Sequence, residues 1–156
     1  MRGSYLQMRS HIGHNVINDV IVRSLSSAGI PASHEPTGLT RLDGKRPDSL
    51  TLVPWQGGKP VTWDITVVST LAQPYLHASG HSAAGAAELN ASRKETKYSY
   101  LPQSFLFVPF AFETLGAITP CSLDFLTEVG RRLSAATGNA RETAFLFQRI
   151  NGSMPY

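Results

Sequence analysis

Two aspartates and two lysines are spaced so that they could act together. Asp48 follows a proline at the head of one strand-like run, residues 49–55, and Asp64 lies inside a second, residues 60–68. Gln56-Gly57-Gly58-Lys59 between the runs has the composition of a β-hairpin turn. If the runs pair antiparallel, the two carboxylates need not be far apart, although 16 positions separate them in sequence. A carboxylate in the middle of Val-Thr-Trp-Asp-Ile-Thr-Val-Val is costly to bury unless it is paired or binds a metal. Hard carboxylate oxygens suit Mg²⁺, or Mn²⁺ in its place, together with waters and a phosphate oxygen. Such an ion acidifies a bound water and polarises phosphorus, and a nearby lysine can orient the water or stabilise developing charge. That chemistry is phosphodiester hydrolysis. The plain alternative is two surface aspartates on a hairpin.

The lysine has to come from elsewhere in the chain. From residue 83 the sequence turns Ala-rich with Glu, Leu, Arg and Lys, which favours a helix to residue 100, stopped by Pro102. Ala84, Ala87, Ala91, Lys94 and Tyr98 recur at three- and four-residue spacing, so small side chains let that face approach a sheet. Lys94 is then the one charge on a packed face, and Lys97 lies slightly around the cylinder.

The other elements follow from periodicity. Val16, Ile17, Val20, Ile21 and Leu25 give a helix over residues 14–28, stopped by Gly29 and Pro31. Asn15 and Asp19 share a face beside this stripe, as a cap and a solvated acid or as an auxiliary ligand. Residues 32–40 form a weak edge strand carrying His34 and Glu35 before Pro36. Residues 71–82 form a linker rich in Pro, His, Ser and Gly. Residues 104–112 are a nearly continuous apolar strand interrupted by Pro109. An amphipathic helix covers 122–136, with Leu123, Leu126, Val129 and Leu133 inward and Arg131 and Arg132 near its end. Gly138-Asn139 stops it, and a last helix covers 141–150. The pattern predicts an α/β domain with a mixed sheet of three to four strands flanked by helices.

Composition narrows the classes. At 156 residues with 42% hydrophobic and 16% charged side chains, the chain has the balance of one folded domain. Its net charge of +3 permits a nucleic-acid partner without requiring one. With Cys121 the sole cysteine, an internal disulfide and a cysteine-based zinc site are excluded. Cys121 reads as a core or capping position rather than a nucleophile. No apolar run approaches the ~20 residues of a membrane span, and residues 1–10 lack the apolar core of a secretory signal. The expectation is an intracellular domain over residues 11–150, with a flexible leader (1–10) and a tail (151–156). There is no Gly-x-Gly-x-x-Gly, phosphate-binding Gly-Lys-Ser/Thr or Gly-x-Ser-x-Gly element. The histidines, His77 and His81 included, form no helical zinc pair.

Arg46-Pro47-Asp48, a strand, a Gly-rich turn and Trp63-Asp64-Ile65-Thr66 together resemble the PD-(D/E)xK nuclease superfamily. In that pattern the two acids bind Mg²⁺ and a lysine two residues after the second acid completes the site. Thr66 occupies that place here, and part of the superfamily supplies the lysine from the following helix. Arg93-Lys94-Glu95-Thr96-Lys97-Tyr98 resembles the Lys-x-x-Lys-Tyr element of the restriction-endonuclease-like domain in site-specific non-long-terminal-repeat retrotransposons. The resemblance covers roughly residues 14–115 and is most specific in these two elements.

It implies a restriction-endonuclease-like core acting as a Mg²⁺-dependent DNA endonuclease. Asp48 and Asp64 would be ligands, Glu35 and Asp19 further candidate ligands, and Lys94 or Lys97 the catalytic lysine. Of the two, Lys94 shares the packed face with Ala87, Ala91 and Tyr98 and is preferred. Arg41, Lys45, Arg46, Arg93 and Tyr98 would meet DNA, mostly at phosphates. The implied partners are DNA and a reverse transcriptase or DNA-targeting domain on a longer parent chain, with a nuclear location if the parent is a eukaryotic mobile element. Thr66 in the lysine's place favours the alternative, a catalytically inactive nuclease-fold module that binds DNA or a protein partner.

Overall fold

The computed structural model describes residues 2–34, 47–68, 85–97, 103–113 and 117–153, with side chains from residue 15 on except those of 68, 86 and 97. The expected linker over 71–82 lies outside these residues. Four helices and four strands alternate as α1 (Arg2–Ser27), β1 (Ala32–His34), β2 (Ser49–Thr51), β3 (Val61–Val68), α2 (Gly85–Lys97), β4 (Leu106–Glu113), α3 (Pro120–Thr137) and α4 (Glu142–Gly152). The sheet runs β1-β2-β3-β4. Its first two pairings are antiparallel and β3–β4 is parallel, which makes it mixed. The expected α/β architecture is present with the larger strand count.

Helix α1 begins twelve residues earlier than the apolar stripe alone suggests, so residues 2–10, expected as a leader, are helical. Leu, Gln, Met and Arg in this stretch are good helix formers, and they extend the helix. Its end is as expected. Gly29 takes a left-handed φ of 78°, and the Ile30 amide donates to Leu25 O at 2.8 Å, closing the last turn before Pro31.

The hairpin forms across Gly57-Gly58, whose φ values of 59° and 74° are those of a type I′ turn. Its first strand is shorter than residues 49–55. The Val61 amide donates to Thr51 Oγ1 at 3.0 Å, and that hydroxyl donates to Val53 O at 2.9 Å. A side chain thus takes the ladder's place just ahead of Pro54, which has no N–H to give. The turn end is clamped to α3 by Arg132, whose guanidinium lies 3.7 Å over the Trp55 ring and donates to Trp55 O.

The two faces of β3 and β4 differ. Trp63, Ile65, Val67, Phe110 and Phe112 join Ile17, Ile21 and Leu25 of α1, Phe125, Leu126 and Val129 of α3, and Leu146 and Ile150 of α4 in one buried core. Val16 of α1 and Leu123 of α3, both expected inward, are exposed. In α3 the buried line is instead Ser122, Phe125, Leu126, Val129 and Leu133. The opposite face is covered by α2, where Ala87 packs on Ala111 with Ala91 and Ala117 around them.

Strand β4 is continuous through Pro109. It is the sheet's outer strand, and the Ala111 and Glu113 amides turn outward, to Ser122 Oγ at 2.9 Å and Ala117 O at 2.8 Å. Pro109 has the same parity, so its missing N–H falls on the outer edge, where no ladder bond is lost. Thr119 caps α3, and its hydroxyl meets Ser122 Oγ at 2.6 Å, so the helix start also covers the strand edge.

Candidate functional site

Asp48 enters the sheet as the residue before β2. Its amide donates to Trp63 O at 3.0 Å, and its Oδ2 accepts the Ile65 amide at 2.6 Å. The carboxylate therefore takes an acceptor position on β3 and is held against the strand that carries Asp64. Asp64 points to the face under α2. Its position is fixed by the parallel register with β4, in which it stands opposite Pro109. Helix α2 runs back along β3, with Ala87 on Ala111, the register partner of Thr66, and Lys94 over Asp64. Lys94 Nζ lies 2.7 Å from Asp64 Oδ2 and donates to Ile65 O at 3.0 Å. The two side chains are only 17% and 7% exposed, so solvent screens this pair weakly.

The Asp64 carboxyl is pushed up to about 6, first by burial and then by a hydrogen bond with the Asp48 carboxyl, against the pull of the Lys94 ammonium. Held on the Ile65 amide, the Asp48 carboxylate sits beside the peptide that follows Asp64 in β3. When both carboxyls ionise they repel, and a divalent cation between them relieves that repulsion. Two carboxylates are a donor set of the kind Mg²⁺ takes, with waters and substrate phosphate completing its sphere. The Ile65 carbonyl oxygen lies next to the pair.

Other expected members fall elsewhere. Asp19 is on α1, across the sheet, and pairs with Arg23 at 3.0 Å on the surface. It is not brought to the site, because Ile17 and Ile21 take the sheet-facing positions of that helix. Asn15, a cap candidate, lies well inside α1. Glu35, Arg41, Lys45, Arg46 and Tyr98 lie outside the described residues, as does the side chain of Lys97, the last residue of α2. Arg93 is exposed beside Lys94. Thr66 presents the same face as Asp64, and its buried hydroxyl has no hydrogen-bond partner. Cys121, in the first turn of α3, is exposed rather than in the core, and partial desolvation of its sulfur, with Glu95 and Asp124, raises its thiol away from thiolate. Among the described residues no three His, Cys, Asp or Glu side chains gather as a metal cluster.

Asn18 is a member that residue patterns did not single out. Its Oδ1 accepts from Trp63 Nε1 at 2.9 Å and Ser49 Oγ at 3.0 Å, and its Nδ2 lies 3.1 Å from His34 Nδ1. One buried amide thus ties α1 to β1, β2 and β3 directly behind the two aspartates. The available signal was a polar residue in line with Ile21 and Leu25, inside an apolar stripe.

Neither protein-family models nor curated proteins give a match to this chain.

Proposed function

We propose that this chain is a Mg²⁺-dependent DNA endonuclease with a restriction-endonuclease-like core. What supports the reading is the convergence of Asp48, Asp64 and Lys94 from three separate elements on one partly buried spot. Asp48 and Asp64 would hold the ion, with the Ile65 carbonyl oxygen beside them. The bound ion would supply charge at the phosphate and an acidified water. Lys94, carried on a helix whose alanines fix its distance from the sheet, places an ammonium where it can orient the attacking water or stabilise charge on the phosphate. Arg93 on the adjoining exposed face, with Arg41, Lys45, Arg46 and Tyr98, would meet DNA chiefly through phosphates. An intracellular, nuclear setting and a reverse transcriptase or targeting domain on a longer parent chain belong to the same proposal.

The test is nicking of supercoiled plasmid by the purified chain, with Mg²⁺ and with chelator. Cleavage that needs Mg²⁺ and disappears in folded Asp48→Ala and Asp64→Ala is the expected result; full activity in either variant overturns the assignment. Lys94→Ala against Lys97→Ala decides which lysine acts. Thr66 in the lysine's usual place favours a second reading, an inactive module of the same fold. Salt-sensitive DNA binding without Mg²⁺-dependent cleavage would select it.

A further inference from the structure

We propose that Lys94 and the divalent cation compete for the same oxygen atoms, so that the lysine is an internal counter-ion that the metal must displace. The inference rests on the metal reading of Asp48 and Asp64 and concerns what Lys94 does to it. Lys94 Nζ is 2.7 Å from Asp64 Oδ2 and 3.0 Å from Ile65 O, so it already rests on two oxygens of the proposed donor set. A cation bound to Asp64 Oδ2 at about 2.1 Å would then stand no more than about 4.8 Å from this ammonium. At that distance, between side chains so little exposed, the two positive charges repel strongly.

The origin of the lysine explains the conflict. Its helix is held at a fixed height by Ala87 against Ala111, and its stem reaches down until Nζ rests on the carboxylate. The helix stays and the ammonium moves, which a flexible four-carbon stem permits. Displacement frees the ammonium from Asp64 and makes it available to an incoming phosphate. Lys94 therefore opposes metal binding while serving the chemistry that follows it.

The experiment is titration of the full chain, without DNA, with Mg²⁺ by calorimetry and with Mn²⁺ by electron paramagnetic resonance. Lys94→Met keeps the apolar stem and is expected to bind either ion at least about tenfold more tightly than the natural chain, while nicking falls. Asp48→Asn is expected to weaken binding. Equal or weaker binding by folded Lys94→Met overturns the competition and makes Lys94 a support of the site. Absence of any Asp48-dependent cation binding in both chains overturns the metal reading, and this inference with it. A second readout needs no variant: reductive methylation of Lys94, followed by mass spectrometry, is expected to speed up several-fold when Mg²⁺ is added. Unchanged or slower modification in a chain that binds Mg²⁺ overturns the proposal.

Discussion

Trp63 Nε1 donates to Asn18 Oδ1 at 2.9 Å on one face of β3, while the next residue, Asp64, meets Lys94 on the other. Alternation along the strand puts an anchoring side chain and a chemical one back to back. Asn18 also accepts from Ser49 Oγ, the residue after Asp48, so one buried amide steadies both strands that carry the aspartates. Asn18→Leu strands the Trp63 and Ser49 donors without acceptors. The expected cost is about 2–4 kcal/mol, read as a lower midpoint in urea unfolding. A loss under about 0.5 kcal/mol would show that the network does not hold the hairpin.

Asp64→Asn separates function from stability. A carboxyl raised to about 6 by burial and Asp48 adds stability below its unfolded value near 3.8, and that contribution is lost as pH rises through about 6. At pH 7.5 the natural chain therefore carries the penalty and the amide does not. Thermal unfolding should show Asp64→Asn at least as stable as the natural chain at pH 7.5, by up to roughly 1–2 kcal/mol, with no advantage at pH 4. Mg²⁺-dependent nicking should fall by about 100-fold or more. A large loss of stability at pH 7.5 would mean that the Lys94 ion pair outweighs the burial cost.

Glu128 has the opposite sign. Hydrogen bonds from Arg131 and Arg132 hold its carboxyl down at about 2 despite some burial. Its stabilisation is present above the unfolded value near 4.5 and is lost as pH falls toward 2. The pair is a third exposed on the glutamate side, so Glu128→Gln should cost no more than about 1 kcal/mol at pH 7. The gap between the two proteins should close between pH 4.5 and 2 in parallel urea titrations.

Gly130 marks where α3 and α4 meet most closely. A Cβ there would lie 2.4 Å from Thr143 Oγ1 and 2.8 Å from Thr143 Cα. The backbone atom cannot give way, so Gly130→Ala should cost about 1–3 kcal/mol. Gly152, also helical and with open space around it, is the control. Gly152→Ala should be neutral or stabilising by up to about 1 kcal/mol, measured by the same unfolding assay.

What the sequence determined by itself was local. The β-branched run of β3, the Gly57-Gly58 turn, the alanine stripe of α2 and the glycines that end α1 and α3 were legible because each constrains a few torsions or one face of one element. The same logic placed Lys94 on the packed face of its helix. It erred where a local rule met a tertiary alternative. Pro109 does not interrupt β4, because an outer strand has an edge where no N–H is needed. Leu123 is exposed because Thr119 and Pro120 start α3 earlier and turn Ser122 onto the strand edge. Of the two readings open to Asp19, the solvated acid holds, because α1 lies across the sheet from the site. Only the tertiary structure decided that Asp48 bonds the Ile65 amide, that Asp64 stands opposite Pro109, and that Asn18 reaches partners 31 and 45 positions away. Periodicity says which face a residue presents. The partner on that face is set by the summed packing of elements distant in sequence, to which the local pattern is blind.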